Sequence, residues 1–230
     1  MKVHRFIADL VLRPGLLSVE DEDLVHQAKD VLKLAVGERV TFCDGALHEA
    51  DGEIVSLDKK GMTVDLGAVR ENNREATRDV FLYCALLKRD NFEFVVQKAT
   101  ELGVRGIVPV LTDRTIKLGF HADRMQKIAR EAAEQSGRGR VPVINEPIAF
   151  SEALKESQKH DATYFFDMNG EHLAGSARVS SIGLLIGPEG GWSDAEIGLA
   201  QEAKVPRLSF FARTLRAETA AMAAVFWSLF

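Results

Sequence analysis

From residue 80 onward the chain alternates between two hydrophobic periods, and this alternation limits its fold more than any other feature. Continuous apolar runs, "VFLYCALL" (80–87), "GIVPVL" (106–111) and "IGLLIG" (182–187), read as strands covered on both faces. "TYFFD" and "PRLSFF" are shorter runs of the same kind. Between them lie segments with a helical period. Phe92, Val95, Val96, Ala99 and Leu102 share one face, capped by Asp90 or Asn91 and ended by Gly103. Met125, Ile128, Ala129 and Ala132 share another, ended by Gly137. "SEALKESQKH" opens at Ser151, "DAEIGLAQEA" follows the third long strand, and an Ala-rich helix runs from about Arg216 to Phe230. Strands alternating with helices predict an α/β domain with a parallel sheet.

The first 69 residues have a different rhythm. "GERVTFCDG", "LHEADGEIVSLD" and "GMTVDLGAV" are short β-branched runs punctuated by Gly and Asp, the pattern of a small barrel of antiparallel strands. "EDEDLVHQAKDVLKL" interrupts them with a helical period at Leu24, Val25, Ala28, Val31 and Leu32. The polar, aperiodic "RENNREATRD" separates the two rhythms. The expected organisation is a β-barrel domain over 1–70, a linker over 71–79 and an α/β domain over 80–230.

Composition narrows the function classes. Apolar residues make up 46% and charged residues 27%, as in soluble globular proteins. No apolar stretch approaches the ~20 residues of a membrane helix, and "MKVHRFIADLVLRPG" lacks the form of a signal peptide. A cytoplasmic protein without membrane contact is expected. Cys43 and Cys84 have no pair spacing, and the six histidines (His4, His26, His48, His121, His160, His172) share none, so no disulfide or metal site is expected. The net charge of −5 argues against a general nucleic-acid binder, yet residues 105–140 carry 8 basic against 4 acidic side chains.

Three stretches carry candidate chemistry. In "LLIGPEGGWSDAE" (184–196) a strand ends at Ile186, where α/β sheets place their ligands. Gly187, Gly190 and Gly191 permit positive φ and close approach to the backbone. Ser193 and Glu196 form a capping box, with Trp192 and Ile197 as its hydrophobic staple. A phosphate ligand is disfavoured: no P-loop lysine follows, and Glu189 would repel an anion. In "RTLRAETAA" (213–221) Arg213 and Arg216 oppose the dipole of the helix they open, or else pair with Glu189, Glu202 or Glu218. In "EAAEQSGRGRVP" (131–142), Arg138 and Arg140, with Arg130 before them, either cap a helix or contact a phosphate backbone.

Together with "KATELGVRGIVPV" and the N-terminal "HRF", these stretches resemble the bacterial 16S ribosomal RNA uridine N3-methyltransferase family, a branch of the SPOUT class. The resemblance spans nearly the whole chain. It implies a C-terminal SPOUT-type parallel sheet with a trefoil knot, a small N-terminal PUA-like β-barrel, and a homodimer acting on 16S rRNA in the 30S ribosomal subunit. It also implies S-adenosyl-L-methionine as cofactor, held by Ile186, Gly187, Pro188, Glu189, Gly190 and Gly191 together with Phe210, Phe211, Leu215 and Thr219. Where the family usually has Leu-Gly-Pro-Arg, this chain has Phe210, Phe211, Ala212 and Arg213. Arg216, with Arg213 or Arg138, is the candidate for stabilising a uracil anion. Glu189 or Glu218 is a candidate base or an arginine's partner, and Arg5, Arg130, Arg138 and Arg140 are candidate RNA contacts. The rival readings are a SPOUT enzyme for another RNA base or ribose, and an RNA-binding protein without catalysis.

Overall fold

The computed structural model describes residues 3–115, 119–173, 175–210 and 213–229. The chain forms two compact units. The first comprises residues 1–75 with 133–141, and the second 76–132 with 142–230. Residues 133–141, assigned by sequence to the α/β domain, thus pack with the β-rich segment.

The first unit holds strands β1 (His4–Ile7), β2 (Gly15–Val19), β3 (Arg39–Cys43), β4 (His48–Leu57), β5 (Met62–Leu66) and β6 (Arg70–Glu71). They form one sheet in the order β1-β3-β4-β5-β2, with β6 on β4. The ladders are antiparallel except that β1 runs parallel to β3, which corrects the all-antiparallel expectation. The single helix expected over the "EDEDLVHQAKDVLKL" stretch is instead α1 (Glu22–His26), capped by the Asp21 carboxylate on the Leu24 amide at 2.9 Å, followed by a π turn over Gln27–Val31. The widened turn carries Gln27, whose amide reaches Glu134 at 3.0 Å. Glu134 also accepts from the Ile7 amide at 2.9 Å. Phe6, Phe42, Ile54, Met62 and Val64 fill the core beneath this sheet.

The second unit contains β7 (Asp79–Ala85), α2 (Arg89–Leu102), β8 (Gly106–Leu111), α3 (Ala122–Ser136, of which residues 133–136 belong to the first unit), β9 (Val143–Ile144), β10 (Ile148–Ala149) and α4 (Phe150–Ser157). It continues with β11 (Ala162–His172), β12 (Ser181–Ile186), α5 (Asp194–Glu202), β13 (Arg207–Ser209) and α6 (Ala217–Leu229). Its sheet is wholly parallel, in the order β10-β8-β7-β12-β11-β13 with β9 on β8. An α/β fold with a parallel sheet is what the alternating periods predicted. Two helix starts differ from expectation. α2 is entered through Lys88, without a side-chain cap, so Asp90 sits in the first turn, where its charge favours the helix dipole. α4 begins at Phe150 rather than Ser151, because Phe150 is buried against Phe165 and Trp192. Among the described residues no helix is long and apolar enough to cross a membrane.

Two topological details position the site. β12 lies between β7 and β11, although β11 precedes it in the chain. The β11–β13 ladder breaks between Phe166 and Glu171, so residues 167–170 leave the register. This break occurs at Gly170, where any side chain would meet the Leu208 main chain at 2.6 Å.

Candidate active site

The carboxyl ends of β11, β12 and β13 open onto one cavity of about 590 Å³. Its walls come from the 166–169 excursion within β11, the Ile186–Trp192 loop around the end of β12, and the stretch from Leu208 through Phe210 and Arg213–Ala217 at the end of β13. A parallel sheet gathers its strand-end loops on one edge, so three segments distant in sequence converge there.

The loop after β12 is built around Trp192. Its indole is stacked on Phe165 with centroids 4.7 Å apart, and its N–H donates to the Phe166 carbonyl at 2.9 Å. A side chain at Gly187 would meet that indole at 2.9 Å, so the bare position is filled from within the protein. Of the three loop glycines only Gly191 has positive φ (69°), in a turn closed by its amide on the Pro188 carbonyl at 2.9 Å. Gly190 lies under the Arg114 side chain, whose Nη1 donates to its carbonyl at 2.7 Å.

The expected capping box is present and does additional work. The Glu196 carboxylate accepts from the Ser193 amide at 2.8 Å and, through its other oxygen, from the Asp113 amide at 3.0 Å. The Ser193 hydroxyl donates to Asp113 at 2.5 Å. The loop after β8 is thereby bolted to the start of α5.

The candidate residues divide as follows. Ile186, Gly187, Pro188, Glu189, Gly190, Gly191, Phe210, Leu215, Arg213 and Arg216 all line the cavity. Phe211 lies outside the described residues. Thr219 faces solvent and is not among the lining residues, because the helical phase of α6 turns Ala217 and Ala220 inward instead. Arg216 is 85% exposed and only 4.0 Å from Glu218, a loose pair. Glu218 is largely buried, and its Oε2 has no hydrogen-bond partner among the described residues. Glu189 is exposed and takes the Lys88 amide at 3.4 Å. Both carboxylates act on Cys84: burial first, then Glu189 and Glu218, push its thiol well above the usual range.

The four candidate RNA contacts are placed differently. Arg130 is exposed on α3 and Arg140 is half-buried. Arg138, in the first unit, is only 4% exposed and binds Glu75 through Nη2 at 2.7 Å and Nε at 3.2 Å. Its guanidinium is spent on an ion pair with Glu75 rather than on a helix end. Arg5, 9% exposed in its side chain, likewise pairs with Glu49 at 2.5 Å. Glu49 also accepts from Arg70 and Asn72, making a polar knot on the face of the sheet opposite Phe6, Phe42 and Ala50.

Sequence reasoning missed Arg114, Asp167, Met168, Asn169 and Thr214, all cavity-lining. Asp167 accepts from Arg207 at 2.8 Å and from the Asn169 amide at 2.7 Å, which holds the excursion in a tight turn. The signal was available. "LTDRT" and "FFDMNG" each follow an apolar run, so both lie at carboxyl ends of parallel strands. Among the described residues no group of three or more His, Cys, Asp or Glu is placed to hold a metal ion.

A wholly parallel sheet whose strand-end loops close a glycine-lined cavity defines an α/β ligand-binding site. Residues 74–228 match the model of the RNA methyltransferase domain family, and the chain belongs to that family. It is 33% identical over 217 residues to the ribosomal RNA small subunit methyltransferase E of Bacillus subtilis (strain 168), covering 87% of this chain and 85% of that protein. Lpg2936 from Legionella pneumophila, solved in complex with the bound cofactor SAM, superposes with a TM-score of 0.89 at 29% identity, covering 98% of this chain and 96% of that one. A ribosomal RNA small subunit methyltransferase E from Neisseria gonorrhoeae bound to S-adenosyl methionine gives 0.89 at 28% identity, covering 97% and 95%.

Proposed function

We propose that the protein transfers a methyl group from S-adenosylmethionine to N3 of a uridine in 16S rRNA, acting on the small ribosomal subunit in the cytoplasm. The observation that carries this reading is the convergence of the Ile186–Gly191 loop, Phe210 and the Arg213–Ala217 stretch on one cavity of about 590 Å³. Its residues suit a phosphate-free cation with an aromatic base. Ile186, Leu208, Phe210 and Leu215 supply apolar wall, Asp167, Glu189 and Asp194 supply negative charge, and no lysine lines it among the described residues. Loop main chain is the main source of directional polar contacts. When bound, the cofactor supplies an electrophilic methyl group.

The chain's own residues prepare the nucleophile. Uracil N3 carries a proton at neutral pH, and the negative charge released when it leaves spreads over O2 and O4. Arg216, cavity-lining and exposed, is placed to meet that charge, with Arg213 three residues before it. Glu189 is the better candidate to take the N3 proton, since it lines the cavity and is exposed. Glu218, buried and nearest Arg216, is assigned the role of aligning that arginine.

The reading includes a trefoil knot, supported by β12 lying between β7 and the earlier-formed β11. It includes a PUA-like RNA-binding first domain over residues 1–70, with a linker over 71–79, and a homodimer. Exposed Phe94 on α2 and Phe226 on α6 support the last. The test is transfer of labelled methyl to 30S particles lacking the modification, with the labelled nucleoside identified by mass spectrometry. Label on uridine N3 is expected. Label on a ribose or another base, or none, refutes the reading.

A further inference from the structure

We propose that Arg114 is a positioning residue that receives a backbone phosphate of the RNA at the rim of the cavity, directly above the loop after β12. The inference rests on the reading of the site as one that methylates RNA. Arg78 is spent on three neutral acceptors, Ser176, Ala177 and Ser228, and five other arginines are matched by carboxylates: Arg5 by Glu49, Arg70 by Asp51, Arg124 by Glu93, Arg138 by Glu75 and Arg207 by Asp167. Arg114 is not. Its one hydrogen bond among the described residues goes from Nη1 to the Gly190 carbonyl, a neutral acceptor, and no carboxylate lies within ion-pair range of it there. The guanidinium is exposed and lines the cavity, so a positive charge with several unused donors faces the solvent that RNA must displace.

Its main chain, by contrast, is held with care. The Asp113 amide is bound by buried Glu196 at 3.0 Å, and the Asp113 carboxylate, the nearest candidate to neutralise Arg114, is taken by the Ser193 hydroxyl at 2.5 Å. Thr112 and Thr115 close the turn around it, amide to hydroxyl at 3.0 Å and amide to carbonyl at 3.1 Å. A rigid mount under an unneutralised guanidinium suits an anion with two acceptor oxygens, and each RNA phosphodiester offers its two non-bridging oxygens. Arg216 lines the same cavity from the start of α6. Arg216 would face the base while Arg114 holds the backbone. Because the Arg114 fork also grips Gly190, RNA engagement would bear on the loop expected to hold the cofactor.

The experiment compares wild type, Arg114→Gln and Arg114→Lys for methyl transfer to unmodified 30S particles over a range of KCl concentrations, with S-adenosylmethionine affinity measured separately by calorimetry. For Arg114→Gln we expect KM for the particles to rise about tenfold, as for loss of one charge-assisted contact. The slope of log(1/KM) against log[KCl], measured at saturating cofactor, should flatten by about one. Arg114→Lys should restore the slope. Weakened cofactor affinity in Arg114→Gln with an unaltered salt slope would overturn the proposal, making Arg114 a brace for the cofactor loop or a contact to the cofactor's carboxylate. An unaltered KM overturns it as well. Absence of transfer by the wild type sinks the reading of the whole site, and this proposal with it.

Discussion

The Trp192 indole N–H donates to the Phe166 main-chain carbonyl at 2.9 Å, tying the loop after β12 to the end of β11. Both segments line the cavity, so this one bond sets their separation. Trp192→Phe keeps an aromatic ring against Phe165 but leaves the buried carbonyl unsatisfied. The expected cost is about 1–3 kcal/mol of stability, read from chemical denaturation, together with weaker binding of S-adenosylmethionine by calorimetry.

Gly187 has no room for a side chain because the same indole lies 2.9 Å from where a Cβ would stand. Gly187→Ala should cost roughly 1–3 kcal/mol through overpacking. Its effect should be less than additive with Trp192→Leu, since the second change removes the obstacle. Strict additivity in a double-mutant cycle would show that Gly187 is constrained by something other than the indole.

Arg216 is the reverse case, 85% exposed and loosely paired. Arg216→Ala should leave the denaturation midpoint within about 0.5 kcal/mol of wild type. Single-turnover methyl transfer at saturating cofactor should slow by roughly 10²–10³-fold, as for loss of a charge-stabilising donor. An unchanged rate would remove Arg216 from the chemistry.

Arg138 and Glu75 form a buried pair through two bonds. Removing one partner strands a charge, so Arg138→Ala should destabilise the protein by about 3–5 kcal/mol. Replacing both, as Arg138→Met with Glu75→Leu, should recover most of that loss. A stable Arg138→Ala with impaired RNA binding would return Arg138 to the list of RNA contacts.

His160 sits against Phe81, with ring centroids 4.3 Å apart, and shares a hydrogen bond with the Tyr83 hydroxyl at 2.9 Å. Burial lowers its pKa from 6.5, against the pull of Asp161, Glu156 and Asp79. Burial likewise raises the Tyr83 phenol to about 12. A histidine pKa depressed by folding means that the unfolded chain binds the proton more readily. The stability associated with neutral His160 is therefore fully present above about pH 6.5 and is lost as pH falls below it. The melting temperature should drop between pH 7.5 and 5.5, and His160→Asn should reduce that drop.

Much of this arrangement was legible in the residues. Apolar runs covered on both faces foretold the parallel sheet, and Ser193 with Glu196 foretold the start of α5, because periodicity and capping are local properties of the chain. The same local logic misplaced the starts of α2 and α4. There the burial of Phe150 and the extended exit of the chain through Lys88 outweighed side-chain capping.

What the sequence determined by itself was the order of strands and helices, the loop that follows β12 and the charges available near it. Whether a given arginine is spent on a carboxylate or left for a ligand was decided only by the tertiary structure. Arg138 meets Glu75 across 63 positions of chain, and Arg114, among the described residues, finds the Gly190 carbonyl across 76. The type of a side chain is written in its codon, but its partner is set by which distant segments the sheet brings within about 3 Å.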